Sequence, residues 1–349
     1  MLIVEQTNRG VECALLEDGA LVDYVISGMP APDSVESVHL VRVERIMKSL
    51  NSAFVRMEGG MEGFLPLQKG APFPKGGDLI VAQVRRARQA GKACSLREEI
   101  ALTGRTLVYL PKGEGIKFSK RLTKDERAEL KAKLPETKLQ GGVIVRRQAL
   151  SAEAEEIARE LEAFRLQGLY LEGNLGESPK LLIPSLSAVQ KMLRDAPHYP
   201  QKVLANRPLS WWQGDYQQRP SPFMLFGVRE KLQRASGRKH YLKSGAVITI
   251  DPCEALTAID VNSANAGDKS PVDINKEAAK EIARLCRLRH MGGVIVIDFL
   301  KMSKVSHREA VAQAMREAFL ADPVQTTLEG FTRLGLFEMT RRRQQENYL

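Results

Sequence analysis

The sequence has 349 residues, with 52 Lys and Arg against 42 Asp and Glu, which gives a formal net charge of +10 and an isoelectric point near 9.4. Hydrophobic residues make up 43% of it, enough for real cores, and at about 150 residues per domain the length predicts two or three domains. No apolar run approaches the roughly 18 residues of a membrane-spanning helix, and nucleic acid is the default partner of a soluble chain with this positive excess.

The first 98 residues are rich in short strands. Alternating apolar residues predict strands over 1–6, 11–16 and 21–26, which together form a β-meander. After a Gly- and Pro-rich break at 28–33, five further strands separated by glycine turns predict a small barrel of the OB type. These five strands cover 38–46, 53–57, 63–67, 79–86 and 93–97.

Two aromatic residues flank the glycine turn of the predicted barrel. They are Phe54 and Phe64, and Lys92 lies just before the last strand. Aromatic side chains on such a barrel stack unpaired bases, each contact contributing about 1–3 kcal/mol. The alternative for each ring is a place in the core, and the sequence leaves both interpretations open.

The region after the barrel mixes helices with strands. Its predicted strands are 106–111 and 142–146, and its predicted helices are 123–133, 151–166, 181–196 and 223–234. Trp211 and Trp212 lie in a Pro- and Gln-rich connection that reveals no role for them.

Two consecutive arginines, Arg146 and Arg147, lie between a strand and a helix N-terminus in this region. The helix dipole and a guanidinium group both favour an anion at such a place, so the pair is a candidate phosphate pocket. The alternative is a pair of surface arginines in a turn.

Two apolar segments in the last third of the chain each carry an aspartate at or near their end. Asp260 and Asn262 have the i, i+2 spacing that puts both on one face of a strand, and Asp298 lies in the second segment. A helix between the segments favours a parallel strand pair with a right-handed crossover, so both aspartates fall at one edge of the sheet. Carboxylate and amide oxygens at the carboxyl ends of strands predict a Mg²⁺ or Mn²⁺ site. Alternatively, these residues cap helices or close turns.

The segment between the two aspartates predicts an amphipathic helix, with Asp273 and Asn275 as cap candidates and Gly292-Gly293 as its stop. A basic stripe on this helix suits a polyanion held near a metal, or is simply solvated surface. The apolar stripe consists of Ala278, Ile282, Leu285 and Cys286, and the basic stripe of Lys276, Lys280, Arg284 and Arg287.

The four cysteines and the N-terminus indicate a cytoplasmic protein. The cysteines include no C-x-x-C pair and no histidine lies at zinc-finger spacing, so we expect small buried hydrophobes in a reducing compartment. The first ten residues turn polar too soon for a signal peptide. An anionic membrane surface is a less favoured partner than nucleic acid. The cysteines are Cys13, Cys94, Cys253 and Cys286.

The stretch 254–341, which contains Asp260, Asn262 and Asp298, closely resembles the ribonuclease E/G family. The segments that carry the resemblance are 254–263, 275–289, 292–299 and 333–341, in the family's order. Further similarity lies in 52–55, 63–67 and 142–146, so the resemblance covers most of the chain and is weak between 150 and 220.

The resemblance implies an α/β (α+β multidomain) protein. It implies an RNase H-like domain that is interrupted by an OB-type RNA-binding barrel and a 5′-sensor-like region, followed by a DNase I-like catalytic domain. The implied boundaries are 1–35 and 179–235 for the RNase H-like parts, 36–98 for the barrel, 99–178 for the sensor-like region and 236–349 for the catalytic domain.

The resemblance also implies roles for single residues. The family's metal-binding pair falls on Asp260 and Asp298, and its supporting amide falls on Asn262. Its RNA-contacting barrel positions match Phe54, Phe64 and Lys92, and its 5′-phosphate arginine matches Arg146, followed here by Arg147.

The chain departs from the family pattern in three places. Arg147 stands where relatives usually have Thr, so 5′-monophosphate recognition is expected to be altered or lost. Lys301 stands where the family often repeats an acid after the second metal aspartate. The sequence stops at Leu349, before the C-x-x-C zinc link of longer relatives, so we expect no zinc-linked dimer, and the oligomeric state stays open.

We therefore expect a Mg²⁺-dependent endoribonuclease that hydrolyses single-stranded RNA to 5′-phosphate and 3′-hydroxyl ends in RNA processing or decay. Mn²⁺ is an alternative metal, no zinc is expected, and the number of metals stays open. Asp251, Asp268 and Asp273 are spare carboxylates. The alternative is a non-catalytic RNA-binding protein on the same scaffold, against which the joint retention of both aspartates and Asn262 argues.

Overall fold

The computed structural model describes residues 1–8, 10–68, 70, 72–88, 92–134, 140–173, 175–212, 214–320 and 322–343. The chain divides into two compact units. The first unit combines Met1–Ser27 with Tyr199–Leu349, and the second unit is Gly28–His198. Both units mix helices with sheets, so the mixed α/β class predicted from the sequence is confirmed. No helix within the described ranges is long and apolar enough to cross a membrane.

Twenty-one strands and seven α-helices lie within the described ranges. The strands are β1 (Leu2–Thr7), β2 (Gly10–Glu17), β3 (Ala20–Ser27), β4 (Val38–Met47), β5 (Ser52–Arg56), β6 (Glu62–Pro66), β7 (Leu79–Arg86), β8 (Cys94–Arg97), β9 (Leu102–Thr103), β10 (Leu107–Leu110), β11 (Gly115–Phe118), β12 (Gly142–Val145), β13 (Lys180–Ile183), β14 (Val203–Ala205), β15 (Gln217–Gln218), β16 (Lys239–Tyr241), β17 (Val247–Pro252), β18 (Leu256–Asn262), β19 (Gly293–Asp298), β20 (Thr326–Phe331) and β21 (Phe337–Arg341). The helices are α1 (Lys124–Lys133), α2 (Ala154–Glu172), α3 (Ala188–Asp195), α4 (Pro222–Leu225), α5 (Val228–Ser236), α6 (Pro271–Leu288) and α7 (Val305–Phe319).

The first unit begins with the predicted meander. β1, β2 and β3 are antiparallel, and β14 and β15 extend their sheet in the order β15-β14-β1-β2-β3. The buried carboxylate of Glu12 on β2 accepts hydrogen bonds from Tyr24 Oη at 2.5 Å and from Arg229 at 2.5 and 3.0 Å. Because Arg229 lies on α5, this network ties the C-terminal part of the unit to the meander.

A six-stranded sheet forms the second layer of the first unit. Its order is β16-β17-β18-β19-β21-β20, and β18 and β19 are parallel as predicted, with α6 as their connection. One face of the sheet packs against α6 and α7 through a single apolar core. The sheet's contribution to that core is Ile248, Ile250, Ile259, Val261, Ile295, Ile297, Phe337 and Met339. The opposite face carries exposed and half-buried side chains.

The second unit contains the predicted barrel. β4, β5, β6, β8 and β7 follow one another, and β7 pairs again with β4, so five strands close on themselves in an OB-like barrel. Gly63 on β6 has a packing reason, because a Cβ there would lie 2.3 Å from a methyl group of Leu96 inside the barrel. β13 adds an antiparallel strand alongside β4.

A four-stranded sheet, in the order β11-β12-β10-β9, forms the rest of the second unit and packs against α2. Glu160 on α2 fixes the start of β10. Its carboxylate accepts hydrogen bonds from the backbone N–H groups of Arg105, Thr106 and Leu107 at 2.6, 2.8 and 2.9 Å. These charge-assisted bonds satisfy three consecutive donors at once.

Two predicted helices differ from the observed elements. The expected helix over 181–196 is a strand, β13, followed by α3, because Ser187 forms a capping box with Gln190 and starts the helix there. A short apolar run before Pro184 fits a strand as well as a helix, so periodicity alone could not separate them. The expected helix over 223–234 is broken at Gly227, whose φ is +58°.

Candidate functional site

The two aspartates are cross-strand neighbours on the solvent face of the six-stranded sheet. In the parallel register of β18 and β19, Asp260 lies opposite Asp298, and both side chains are exposed. Ile259 and Ile297, the preceding residues on each strand, are buried in the core below. Because side chains alternate along a strand, the buried isoleucines hold both carboxylates on the outer face, one strand spacing of about 4.8 Å apart.

The charges of this carboxylate pair are not balanced by the protein. Partial desolvation and the nearby charges of Asp298 and Asp251 raise the pKa of Asp260. Neither Asp260 nor Asp298 has an ion-pair partner in the described part of the chain, whereas Asp251 is paired with Arg238 at 2.8 Å, which lowers the pKa of Asp251. The uncompensated negative charge therefore belongs to Asp260 and Asp298, as a cation site requires.

Asn262 lies on the same face as Asp260, and part of its side chain is engaged. Its Oδ1 accepts a hydrogen bond from the backbone N–H of Ala264 at 2.9 Å, and Ala264 has a left-handed φ of +40°. The turn-closing interpretation of Asn262 is thus realised. The amide N–H₂ of Asn262 donates no hydrogen bond among the described residues, so it is available to a ligand oxygen.

The interpretation of Asn275 as a cap candidate is wrong, because the structure places its side chain against the backbone of Leu300. The cap of α6 is Ser270, followed by Pro271, and Asn275 is fully buried on the helix. Its Nδ2 donates to Leu300 O at 2.9 Å, and its Oδ1 accepts from Leu300 N at 3.0 Å. These two bonds fix the backbone two residues after Asp298. An asparagine within an apolar helix stripe was the signal that could have identified it.

The donor set fits a hard divalent cation. Mg²⁺ is usually bound by one or two carboxylates, with its remaining positions filled by water and substrate phosphate oxygens. No group of three or more His, Cys, Asp or Glu residues that could hold a metal occurs in the described ranges, so Asp260 and Asp298 stand as a pair. An exposed carboxylate pair with a neighbouring amide is consistent with such a partly hydrated ion.

Two of the four residues in the predicted basic stripe of α6, Arg284 and Arg287, have structural partners. Arg287 is buried and its Nε donates to Val22 O of β3 at 2.9 Å, while Arg284 binds Leu21 O and Glu281. Both side chains therefore hold α6 against the N-terminal meander, where they cannot attract a polyanion to the aspartates. Lys280 on the same helix is exposed.

The two barrel phenylalanines form an outward-facing aromatic pair. Phe54 on β5 lies opposite Phe64 on β6, with ring centroids 5.8 Å apart in an edge-to-face arrangement. Arg45 on β4 lies opposite Phe54 and places its guanidinium 4.9 Å from the ring centroid. Both rings are half-buried. The sequence interpretation missed Arg45, although its place in an exposed strand row could have indicated it. Lys92 is exposed, and no side-chain contact joins it to this pair in the described part of the chain.

The two arginines between β12 and α2 are separated by the structure. Arg146 Nη2 donates to Asp195 Oδ1 at 2.6 Å, and its Nη1 donates to Gly104 O. Arg147 instead pairs with Glu126 on α1, with N–O distances of 2.9 and 2.8 Å. The two guanidinium groups are thus engaged by carboxylates on different helices.

The tryptophans of the Pro- and Gln-rich connection belong to an aromatic cluster in the first unit. Trp212 stacks on Tyr199 with ring centroids 5.5 Å apart, and Trp211 lies edge-on to Trp212 at 6.1 Å. The stacking therefore packs the Pro- and Gln-rich connection against Tyr199, the first residue of the second stretch of this unit.

Comparison with known proteins gives consistent matches. The model of the "Ribonuclease E/G family" matches residues 101–210 and 212–344. A protein named ribonuclease E from Escherichia coli (strain K12) is 30% identical, over 98% of this chain and 37% of the relative. Proteins named ribonuclease G from Haemophilus influenzae and Escherichia coli (strain K12) are each 29% identical, over 99% of this chain and 80% of the relative. The chain thus spans little more than a third of the ribonuclease E relative and four fifths of the ribonuclease G relatives. This chain belongs to the ribonuclease E/G family.

Proposed function

We propose that the protein is an endoribonuclease that hydrolyses phosphodiester bonds in single-stranded RNA, in RNA processing or decay, with Mg²⁺ or Mn²⁺ as cofactor. The observation that carries the proposal is the register of Asp260 opposite Asp298 on an exposed sheet face, where neither carboxylate has an ion-pair partner among the described residues. The names of the matched relatives, ribonuclease E and ribonuclease G, support the same activity.

Asp260 and Asp298 would hold the metal ion through their carboxylates. When bound, a divalent cation supplies Lewis acidity toward a phosphate oxygen and toward water. The amide N–H₂ of Asn262 is on the same face and would donate to a phosphoryl oxygen. Asn275 keeps the chain after Asp298 in place. Attack of water on phosphorus with departure of the 3′ oxygen leaves a 5′-phosphate on one fragment and a 3′-hydroxyl on the other.

The barrel would bind the RNA single strand. The aromatic pair Phe54 and Phe64 offers ring faces and edges to unpaired bases, and Arg45 and Lys92 add positive charge. Base stacking requires bases that are free of a duplex, so this surface favours single strands over double-stranded RNA.

We assign the remaining regions by the same family relationship. Residues 1–35 and 179–235 would form the RNase H-like parts, 36–98 the barrel, 99–178 the sensor-like region and 236–349 the DNase I-like catalytic domain. Arg146 and Arg147 are the candidate 5′-phosphate residues of the sensor-like region. Cleavage of RNA within a cytoplasmic compartment is the setting that we propose.

The central test uses Asp260→Asn and Asp298→Asn with a fluorescent single-stranded RNA, in Mg²⁺ and in EDTA. Each variant should lose at least about 100-fold in cleavage rate, because a ligand charge of the metal is removed, and should keep its RNA affinity. Asp251→Asn is the matched control, since Asp251 lies on the same sheet but is already paired with Arg238. Its rate should fall less than about tenfold.

Full cleavage in EDTA, or by either Asp260→Asn or Asp298→Asn, would remove the metal site from the reaction. RNA binding without any Mg²⁺-dependent product from the wild-type protein would support the non-catalytic alternative. Ligation of the upstream product to a 5′-phosphorylated adaptor, and digestion of the downstream product by a 5′-phosphate-dependent exonuclease, test the two end groups.

A further inference from the structure

The edge strand β16 presents two side chains to the same sheet face as the carboxylate pair. In the observed register, Lys239 lies opposite Thr249, which lies opposite Asp260. Tyr241 lies opposite Val247, which lies opposite Asn262. Two parallel rows of side chains therefore run across the sheet, and each begins at β16 and reaches the candidate catalytic residues.

The side chain of Tyr241 is unusually open to solvent. It is 78% exposed, and it makes no hydrogen bond, ion pair or ring contact in the described part of the chain. Tyrosines normally bury much of the ring and keep only the hydroxyl in water. The strand does not depend on this ring, because His240 between the two exposed residues is buried and anchors β16 to the core.

The residues between Tyr241 and Asn262, and between Lys239 and Asp260, are uncharged in the register of the sheet. In each row a single residue of β17 lies between the two ends, Val247 in one row and Thr249 in the other, and both are half-buried. Two strand spacings of about 4.8 Å put Tyr241 roughly 10 Å from Asn262, and Lys239 equally far from Asp260. This separation is comparable to the reach from the phosphate of a nucleotide to its own or the adjacent base.

We propose that Tyr241 and Lys239 form a subsite for the nucleotide next to the scissile phosphate, in which the base stacks on Tyr241 and the neighbouring phosphate contacts Lys239. The inference rests on the proposed endoribonuclease function and adds a binding element on the catalytic sheet itself. Stacking on a tyrosine tolerates any base because every base has a π face. The subsite therefore positions the strand for cleavage without reading its sequence.

The test begins with a single-stranded RNA whose cleavage position has been mapped with the wild-type protein. Tyr241→Ala should raise KM by about 5- to 150-fold with little change in kcat, since stacking holds substrate and transition state alike. Tyr241→Phe should keep the wild-type values because it retains the ring. Lys239→Ala should weaken binding and reduce its salt dependence, whereas Lys280→Ala, an exposed lysine on α6, should do neither.

Substrates with one abasic nucleotide, on the 5′ or the 3′ side of the cleaved bond, separate stacking from a structural effect. With one of these abasic substrates, the KM of the wild-type protein should rise by the same factor as the KM of Tyr241→Ala rises with the intact substrate. On that abasic substrate, the KM of Tyr241→Ala should equal the wild-type KM. If Tyr241→Ala raises KM relative to the wild-type protein by the same factor on the abasic substrate as on the intact one, or if this variant has the wild-type KM, the subsite is overturned while the nuclease activity stays in place. Absence of cleavage by the wild-type protein would overturn both proposals.

Discussion

Replacement of Asn275 by Ala tests whether the chain after the second aspartate must be held in place for catalysis. The fully buried Asn275 side chain makes two hydrogen bonds, at 2.9 and 3.0 Å, to the backbone of Leu300. A net contribution of about 1 kcal/mol for each bond predicts a loss of about 2 kcal/mol in the free energy of unfolding. Leu300 is only half-buried, so water can partly replace the lost partner and keeps the loss from being larger.

A catalytic effect of Asn275→Ala is expected in addition to its effect on stability. Because Asp298 would no longer have a fixed backbone behind it, we expect kcat to fall about 10- to 100-fold with little change in RNA affinity. Urea unfolding followed by circular dichroism gives the free energy, and steady-state cleavage of a fluorescent RNA gives kcat and KM.

The chain offers a closely matched control for this variant. Asn206 makes the same pair of bonds to one backbone residue, accepting from Gln6 N at 2.8 Å and donating to Gln6 O at 3.1 Å, but in the other sheet of the first unit. Asn206→Ala should lose similar stability and keep its kcat. If kcat falls equally in both variants, the cause is general destabilisation and the positioning role of Asn275 is refuted.

Three further predictions concern binding, the 5′ end and metal. Phe54→Ala should weaken single-stranded RNA binding by about 1–3 kcal/mol, measured by fluorescence anisotropy, and leave the melting temperature unchanged. The control Gly63→Ala should lower the melting temperature, because the added Cβ would meet Leu96. Unfolding of Phe54→Ala would show that the ring belongs to the barrel core. RNAs that differ only in a 5′-monophosphate or 5′-hydroxyl should be cleaved at rates within about tenfold, because Arg147 is held by Glu126 and leaves at most Arg146 for the phosphate. A hundredfold preference removed by Arg146→Ala would contradict this. Chelation should leave the oligomeric state unchanged in light scattering, since no C-x-x-C pair occurs in the sequence, and stoichiometric zinc holding a dimer together would refute it.

Local periodicity predicted the elements that carry the candidate site. The i, i+2 spacing of Asp260 and Asn262 fixed their common face, and the strand, helix, strand order predicted the parallel pairing with the strand of Asp298. The closed barrel followed from five short strands with glycine turns. These features depend on neighbours in sequence, so the pattern of residue types was sufficient.

Partners distant in sequence could not be predicted in the same way. Arg284 and Arg287 appeared on the helix as a basic stripe, yet they bind backbone carbonyls of Leu21 and Val22, more than 260 positions away. Asn275 had the residue type of a cap, but its partner is Leu300. A residue's role in these cases depends on what the fold brings against it, and no local pattern specifies that.

The two adjacent arginines show how far such partners change a functional interpretation. Asp195 keeps two hydrogen bonds to Arg194, at 3.0 and 2.9 Å, in addition to its bond with Arg146, and these arginines lower the pKa of Asp195 although burial opposes them. An incoming phosphate can therefore take Arg146 without leaving the carboxylate of Asp195 unpaired. Release of Arg147 would remove the only arginine from Glu126 among the described residues and loosen the capping box at the start of α1. We infer that any 5′-phosphate contact falls on Arg146, and that Arg147 holds α1 in place.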